Sequence, residues 1–176
     1  MKTQPQFFRA AVLLLIVFTL PACASFMGPP VIKATDQGLT AEVKQLIADG
    51  EDLNATTGSG VSALLVAAAR GHGDIAEYLI AQGADVDAAV TEAFEKEGRT
   101  VYPGVTPLFA ALGNKHPEIG RMLIQNGADV NKNDINGTTP LIVAAAQNDP
   151  KIVAALIRKG AEVNAATTNT YVYEGR

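Results

Sequence analysis

A five-residue motif recurs four times along the chain, and its spacing limits the folds that the chain can adopt. The motif reads Gly-Ala-Asp-Val-Asn at residues 127–131, variants of it begin at Gly83 and Gly160, and a looser copy begins at Gly50. Successive copies are 33, 44 and 33 residues apart. A period near 33 is typical of helical solenoids, in which each short unit packs only on its neighbours. The sequence therefore predicts an all-α array of about four helix-turn-helix repeats.

Two short helical segments precede each of the last three motifs. The first segment follows a Ser or Thr that can cap a helix, and in two copies Pro107 or Pro140 takes the first helical position. The second segment carries an apolar stripe, such as Ile75 and Leu79, and ends near the motif glycine. Glycine adopts the left-handed conformation of a helix end without steric cost. The predicted capping residues are Ser62, Thr106 and Thr139.

This pattern resembles the ankyrin repeat, which reads T-P-L-H-x-A-A, then a Gly-His turn, then L-L-x-x-G-A-D-V-N. The resemblance covers about residues 31–166 and implies helix pairs joined by β-hairpin fingers. The first copy is degenerate, with 31–37 as its first helix and Gly38 in its turn, which suits an N-terminal cap. The motif histidine is replaced by apolar residues, so we expect packing to provide the cohesion there. The replacements are Leu65, Phe109 and Ile142.

The spacing of 44 residues implies eleven extra residues around 90–103, and the resemblance then predicts an extended second finger. Residues 91–96 and 99–102 can pair as a hairpin across Gly98, which suits a tight turn. A short helix over 91–97 that Gly98 ends is the alternative, and we favour the hairpin. The insertion should be ordered because it carries three large apolar side chains, Phe94, Val101 and Tyr102.

Residues 1–22 read as a secretory signal. Lys2 and Arg9 supply a positive start, and the apolar run over 10–20 is shorter than the ~20 residues that a membrane-spanning helix needs. Residues 20–23 read Leu-Pro-Ala-Cys and resemble the lipobox of bacterial lipoproteins, in which the cysteine becomes the lipidated first residue. Cys23 is the only cysteine of the chain. Ordinary cleavage after Ala24, which would release a soluble periplasmic protein, is the alternative.

The lipoprotein interpretation places the protein at the periplasmic face of the cell envelope. Bacterial lipoproteins with Asp after the cysteine tend to stay in the inner membrane, whereas Ala24 and Ser25 follow Cys23 here, so we expect the outer membrane. Residues 23–30 read as a tether that Pro29 and Pro30 stiffen. At the other end, the β-branched and aromatic residues of the tail, 167–176, favour a strand. This tail either folds back on the last finger or stays free until a partner binds.

The charge balance argues against nucleic-acid binding. The chain has 14 basic and 18 acidic side chains, and residues 1–22 hold two of the basic ones and none of the acidic ones. The mature chain would therefore carry 12 basic and 18 acidic side chains, a formal charge of −6. This mild acidity favours solubility and cationic partners without naming one.

No convergent reactive groups point to an enzyme. His72 and His116, the only two histidines, occupy the same turn position in different repeats, so their shared position favours a structural role. Two histidines without a nearby cysteine do not complete a zinc site, which needs three or four ligands. Three acidic residues also share one position, at the foot of each finger, where they favour local turn bonds over a carboxylate site. They are Asp85, Asp129 and Glu162. We therefore expect no catalytic residue, metal or cofactor.

The resemblance instead implies a binding scaffold that takes a protein partner on the concave face, made by the finger tips and the first helices. Aromatic and Arg side chains are enriched at binding hot spots. Phe94 and Tyr102 have a second interpretation, in which they pack on the scaffold and hold the long finger in place. The predicted contact residues are Arg70, Phe94, Arg99, Tyr102, Asn114, Asp134, Ile135, Asn136 and Gln147.

The sequence leaves three roles open for such a module at the envelope. It can be an immunity protein that blocks a secreted toxin, an accessory factor for a periplasmic enzyme such as catalase, or a structural scaffold. The first two rest on analogy with bacterial ankyrin proteins. We expect the protein to be monomeric on its own.

Overall fold

The computed structural model describes residues 28–96 and 98–167. The predicted signal peptide, Cys23 and the tail from 168 to 176 lie outside the described residues. Across the described part of the chain, none of the helices combines the length and the apolar character needed to cross a bilayer.

The described residues form eight α-helices and one two-stranded sheet, which confirms the predicted helix-rich architecture. The helices form four consecutive pairs, and the sheet lies between the second pair and the third. In chain order the elements are α1 Pro30–Asp36, α2 Thr40–Ala48, α3 Ala63–Arg70, α4 Gly73–Ala81, β1 Phe94–Lys96, β2 Arg99–Val101, α5 Pro107–Gly113, α6 Pro117–Gln125, α7 Pro140–Ala146 and α8 Pro150–Arg158.

The predicted capping residues start the first helix of the last three pairs. The hydroxyl of Ser62, Thr106 or Thr139 accepts a hydrogen bond from the backbone N–H three residues later, at 3.2, 3.2 and 3.3 Å. These bonds satisfy one of the donors that every helix N-terminus leaves open. The helix α1 begins at Pro30, one residue inside the predicted tether, because proline suits the first helical position.

The helices stack in two rows. In the first-helix row α1 packs on α3, α3 on α5 and α5 on α7, and in the second-helix row the same order joins α2, α4, α6 and α8. Small side chains at equivalent positions, Ala67, Ala111 and Ala144, are buried and allow the first-row helices to approach closely. The largest buried side chains come from helices of both rows, and they include Leu64, Leu79, Leu108, Leu123, Ile152 and Leu156.

Polar bonds also link each motif to the next. The side-chain oxygen of Asn54 accepts a hydrogen bond from the backbone N–H of Asp85 at 2.9 Å. In the same way, the backbone N–H of Asp129 donates to the carboxylate of Asp87 at 3.0 Å, and the backbone N–H of Glu162 donates to the amide oxygen of Asn131 at 2.9 Å. We call these three bonds the motif ladder. Packing was predicted at the positions that replace the motif histidine, and the ladder adds polar links elsewhere, between consecutive motifs.

The predicted turn bonds at the motifs are present in two of the three cases. The carboxylate of Asp85 accepts from the N–H of Asp87, and that of Asp129 accepts from the N–H of Asn131, each at 2.9 Å. Each bond spans two residues and holds the chain in the turn that follows the helix. The third predicted residue, Glu162, instead contributes its backbone N–H to the motif ladder.

The insertion forms the favoured hairpin, and the alternative helix over 91–97 is wrong. The strands β1 and β2 are antiparallel, with Phe94 opposite Val101 and Lys96 opposite Arg99. Gly98 has a φ of +73°, which suits the turn. Two backbone bonds close the base of the insertion, from Val90 N–H to Val105 C=O at 3.0 Å and from Gly104 N–H to Val90 C=O at 2.8 Å.

The other connections between repeats differ from the implied β-hairpin fingers. Within the described residues, the β1–β2 sheet is accompanied by one isolated bridge, between Thr56 and Ser62. These connections are built mainly from consecutive turns, such as that of Asp134, whose carboxylate accepts from the N–H groups of Asn136 and Thr138. Side-chain bonds of this kind compete with strand pairing.

Candidate functional site

The inserted hairpin lies over the first-helix row and encloses a cavity of about 300 Å³ that opens to solvent. We call this cavity the hairpin groove. Its walls are mainly apolar and come from α3, from α5 and from the hairpin with the residues beside it. The principal apolar wall residues are Val61, Leu65, Ala69, Phe94, Val101, Tyr102, Val105 and Phe109.

An ion-pair cluster fastens the hairpin to the first two repeats. The carboxylate of Asp36, at the end of α1, accepts from Nε of Arg70 at 2.9 Å and from Nζ of Lys96 at 3.0 Å. Arg70 ends α3 and Lys96 ends β1. Asp36 is thus bonded to both the second repeat and the insertion, and the three side chains hold the hairpin against the first-helix row.

The electrostatics of Asp36 follow from this cluster. Partial burial acts to raise the pKa of Asp36, but the hydrogen bonds and positive charges of Arg70 and Lys96 outweigh it and leave the pKa below its ordinary value. The carboxylate is therefore ionised at neutral pH and keeps both pairs intact.

A second hollow, of about 420 Å³, lies on the N-terminal side of the same cluster. Ile32, Lys33 and Thr57 line it, and it shares Phe94 and Lys96 with the hairpin groove. The first strand of the hairpin therefore forms a wall between two adjoining depressions above the first-helix row.

Phe94 and Tyr102 differ in their burial at the groove. Phe94 is partly buried and packs against the core, so it holds the hairpin in place while lining the groove. Tyr102 is 43% exposed at the groove. A half-exposed aromatic ring at the edge of an apolar cavity is available to a partner.

The predicted contact residues of the third connection lie beside the groove. Ile135 is 65% exposed, and its backbone N–H donates to Pro103 C=O at 3.0 Å, which ties this connection to the base of the insertion. Asp134 is buried, and its carboxylate holds the turn by accepting from the backbone of Asn136 and Thr138. Of these residues, Ile135 offers the side-chain surface.

The remaining predicted residues divide between the groove and other places. Arg70 and Asn114 line the hairpin groove, and the amide of Asn114 also donates to Ala110 C=O at 2.8 Å. Gln147, at the end of α7, lies in a separate hollow. Arg99 is in β2, and its side chain is outside the described part of the structure.

The histidines lie at the helix turns and pack on glycines of the preceding repeat. A Cβ built on Gly38 would lie 3.0 Å from Cε1 of His72, and one on Gly71 would lie 2.5 Å from Cε1 of His116. Each ring thus occupies the space that a side chain would take. Among residues 28–96 and 98–167, no group of three or more His, Cys, Asp or Glu side chains is placed to hold a metal ion.

Asp36 and Lys96 were not among the predicted site residues. They are 60 residues apart, and Lys96 lies within the insertion, so the repeat register does not relate them. The apolar walls of the groove could have been predicted by aligning the repeats, because Leu65 and Phe109 both replace the motif histidine and both line the groove.

The comparisons with known proteins agree with this architecture. A family model described as "Ankyrin repeats (3 copies)" matches residues 12–90, 31–134 and 92–167. A segment of 70 residues is 36% identical to Palmitoyltransferase Hip14 of Drosophila melanogaster. That segment is 40% of this chain and spans only 11% of the relative's length, and it covers the repeat region alone.

Ankyrin repeats generally act as protein–protein interaction modules and are typically non-catalytic. The family matches, taken together, extend over most of the described residues, where the four helix pairs and the motif ladder lie. The chain therefore belongs to the ankyrin-repeat family.

Proposed function

We propose that this protein is a non-enzymatic, monomeric binding module at the bacterial cell envelope, and that it holds a protein partner in the hairpin groove. The repeats act as a solenoid scaffold whose concave face carries the groove. The observation that carries the proposal is the inserted hairpin, which the Asp36 cluster fastens over the first-helix row above an apolar cavity of about 300 Å³.

A groove of this kind has two properties that favour binding. It is formed before the partner arrives, because Phe94 packs on the core and Lys96 pairs with Asp36, so less conformational entropy is lost on association. Its walls are apolar while Tyr102 and Ile135 stand exposed beside it, which matches the apolar centre and aromatic anchors of protein interfaces.

The charged side chains at the groove add specificity. Arg70 and Lys96 both line it, and Asp36 neutralises part of their charge. Charges at the edge of an interface mainly set orientation and the association rate. A partner segment that inserts an apolar side chain into the cavity fits this arrangement.

The proposed anchor is a lipid at Cys23. The apolar run over 10–20, the Leu-Pro-Ala-Cys sequence and the single cysteine support it, and the short tether before α1 would keep the repeats near the membrane. We expect Cys23→Ser to abolish lipid labelling and to release the protein from membranes, as measured by fractionation of cell envelopes. Unchanged membrane association of this variant would contradict the anchor without bearing on the groove.

The groove is tested by photo-crosslinking from defined positions in cells. A photoreactive amino acid at Tyr102 should give one discrete protein adduct, and excess unlabelled wild-type protein should suppress it. The control position is Glu77, which is exposed on α4 in the second-helix row. Equal adducts from both positions, or none from Tyr102, would contradict a partner in the hairpin groove.

A further inference from the structure

The fourth repeat leaves apolar side chains exposed at positions where the third repeat buries them. Val163 is 63% exposed, whereas Val130, at the equivalent motif position, is 5% exposed. Ile157 is 48% exposed, whereas the equivalent Ile124 is 3% exposed. Leu141 is partly exposed, although the equivalent Leu108 is fully buried. We call the surface of Leu141, Ile157 and Val163 the end face.

The difference follows from how neighbouring helix pairs cover one another. The third helix pair is covered by the fourth, through contacts of α5 with α7 and of α6 with α8. No helix pair follows α8 within the part of the chain that the structure describes. Terminal units of a repeat array usually carry a polar outer surface. Here the repeat keeps Ile157 and Val163, so the end face is suited to another apolar layer.

The chain itself supplies a suitable segment three residues after the fourth motif. Residues 168–176 read Thr-Asn-Thr-Tyr-Val-Tyr-Glu-Gly-Arg, with two aromatic residues and one valine. An extended chain places Tyr171 and Tyr173 on the same side, because strand side chains alternate. Nine extended residues reach about 30 Å, which exceeds the ~13 Å length of a nine-residue helix such as α8.

We propose that residues 168–176 fold back over the end face and cap the repeat array, with Tyr171 and Tyr173 packed on Ile157 and Val163. The tail then covers the fourth repeat as the fourth repeat covers the third. This cap is independent of the hairpin groove, which lies over α3 and α5.

Amide hydrogen exchange and thermal unfolding of the full chain in detergent micelles test this cap. In the wild type, amides of residues 171–173 should be protected from exchange. The double substitution Tyr171→Ser/Tyr173→Ser should remove that protection, speed exchange in α8 and lower Tm by about 4 °C or more. Unprotected tail amides in the wild type would overturn the proposal even if the double variant does not fold.

A charge placed on the end face distinguishes a covered from an uncovered surface. Val163→Lys should lower Tm by several degrees more than Ile135→Lys, a matched control because Ile135 is 65% exposed and Val163 63%. Equal effects of the two substitutions would overturn the proposal. A cross-linked dimer that Val163→Lys abolishes and the tyrosine variant leaves intact would overturn it in favour of a second copy.

Discussion

The turn after each first helix shows how single residues set the geometry of this array. Equivalent positions there hold Gly38, Gly71, Lys115 and Asn148, and all four have a positive φ, of 71°, 80°, 65° and 57°. The sequence predicted a turn at the glycines. It did not predict the left-handed conformation at Lys115, because lysine adopts it only at a cost that tertiary packing offsets.

Gly71→Ala should destabilise the protein more than Gly83→Ala does. Both glycines have a positive φ, so each substitution costs about 1–2 kcal/mol of backbone strain. A Cβ on Gly71 also meets the ring of His116 at 2.5 Å, whereas nothing lies within 4 Å of one on Gly83. Chemical denaturation measures both losses. Equal losses would show that the His116 ring does not hold this turn.

Leu123→Ala tests the predicted phase of the second helices. Leu123 is fully buried, as its place in the apolar stripe of α6 predicts. Its truncation should lower the free energy of unfolding by about 2–5 kcal/mol, because a cavity is left behind. A loss below about 0.5 kcal/mol in urea unfolding would contradict this burial.

At the scale of elements, the inserted hairpin was partly predictable. The 44-residue spacing located it, and Gly98 with the flanking β-branched and aromatic residues favoured paired strands. The direction in which it folds was not predictable, because that depends on Asp36, which is 60 residues from Lys96. Local patterns do not encode such distant pairs. The sequence likewise placed Phe94 and Tyr102 in the candidate site. It could not predict that Phe94 packs on the core while Tyr102 is exposed.

The Asp36 cluster should make the hairpin sensitive to acid. The pKa of Asp36 lies below its ordinary value of 3.8, so its contribution to stability is complete above that value and is lost as the pH falls through the folded-state pKa. Asp36→Asn should remove this dependence and speed hydrogen exchange in β1 and β2 at neutral pH. The loss of stability should stay below about 1 kcal/mol, because the groups are partly exposed. Unchanged hairpin exchange would show that the cluster does not hold the insertion.

At the scale of the whole molecule, the motif ladder links every repeat to the next. The sequence predicted the stacking from the 33-residue period, and the repeated Asp indicated a turn. The side chain of the last motif residue accepts a hydrogen bond from the backbone of the next motif. This partner could not be predicted, because the bond forms only when two repeats stack. The ladder therefore makes the stability of each repeat depend on its neighbours.

Asn131→Ala should weaken the coupling of the fourth repeat to the third. Asn131 accepts from Glu162 N–H at 2.9 Å and donates to Gly160 C=O at 3.1 Å, and both bonds are lost in the variant. A loss of about 1–3 kcal/mol is expected, with faster hydrogen exchange in α7 and α8 than in α3 and α4. The control is Asn126→Ala, because the Asn126 side chain bonds within its own repeat, to Met122 C=O. Equal exchange patterns in the two variants would contradict the coupling.

The affinity of the partner captured at Tyr102 for two tyrosine variants tests most directly whether the hairpin groove is the binding site. Tyr102 is exposed at the hairpin groove, whereas Tyr78 lies on α4 in the second-helix row, beneath the ammonium of Lys44 at 5.3 Å from the ring centre. Isothermal titration calorimetry should show that Tyr102→Ala weakens binding at least tenfold, about 1.4 kcal/mol, with little change in Tm. Tyr78→Ala should lower Tm and leave the affinity unchanged. Full affinity of Tyr102→Ala, or an equal loss in both variants, would contradict the hairpin groove as the binding site.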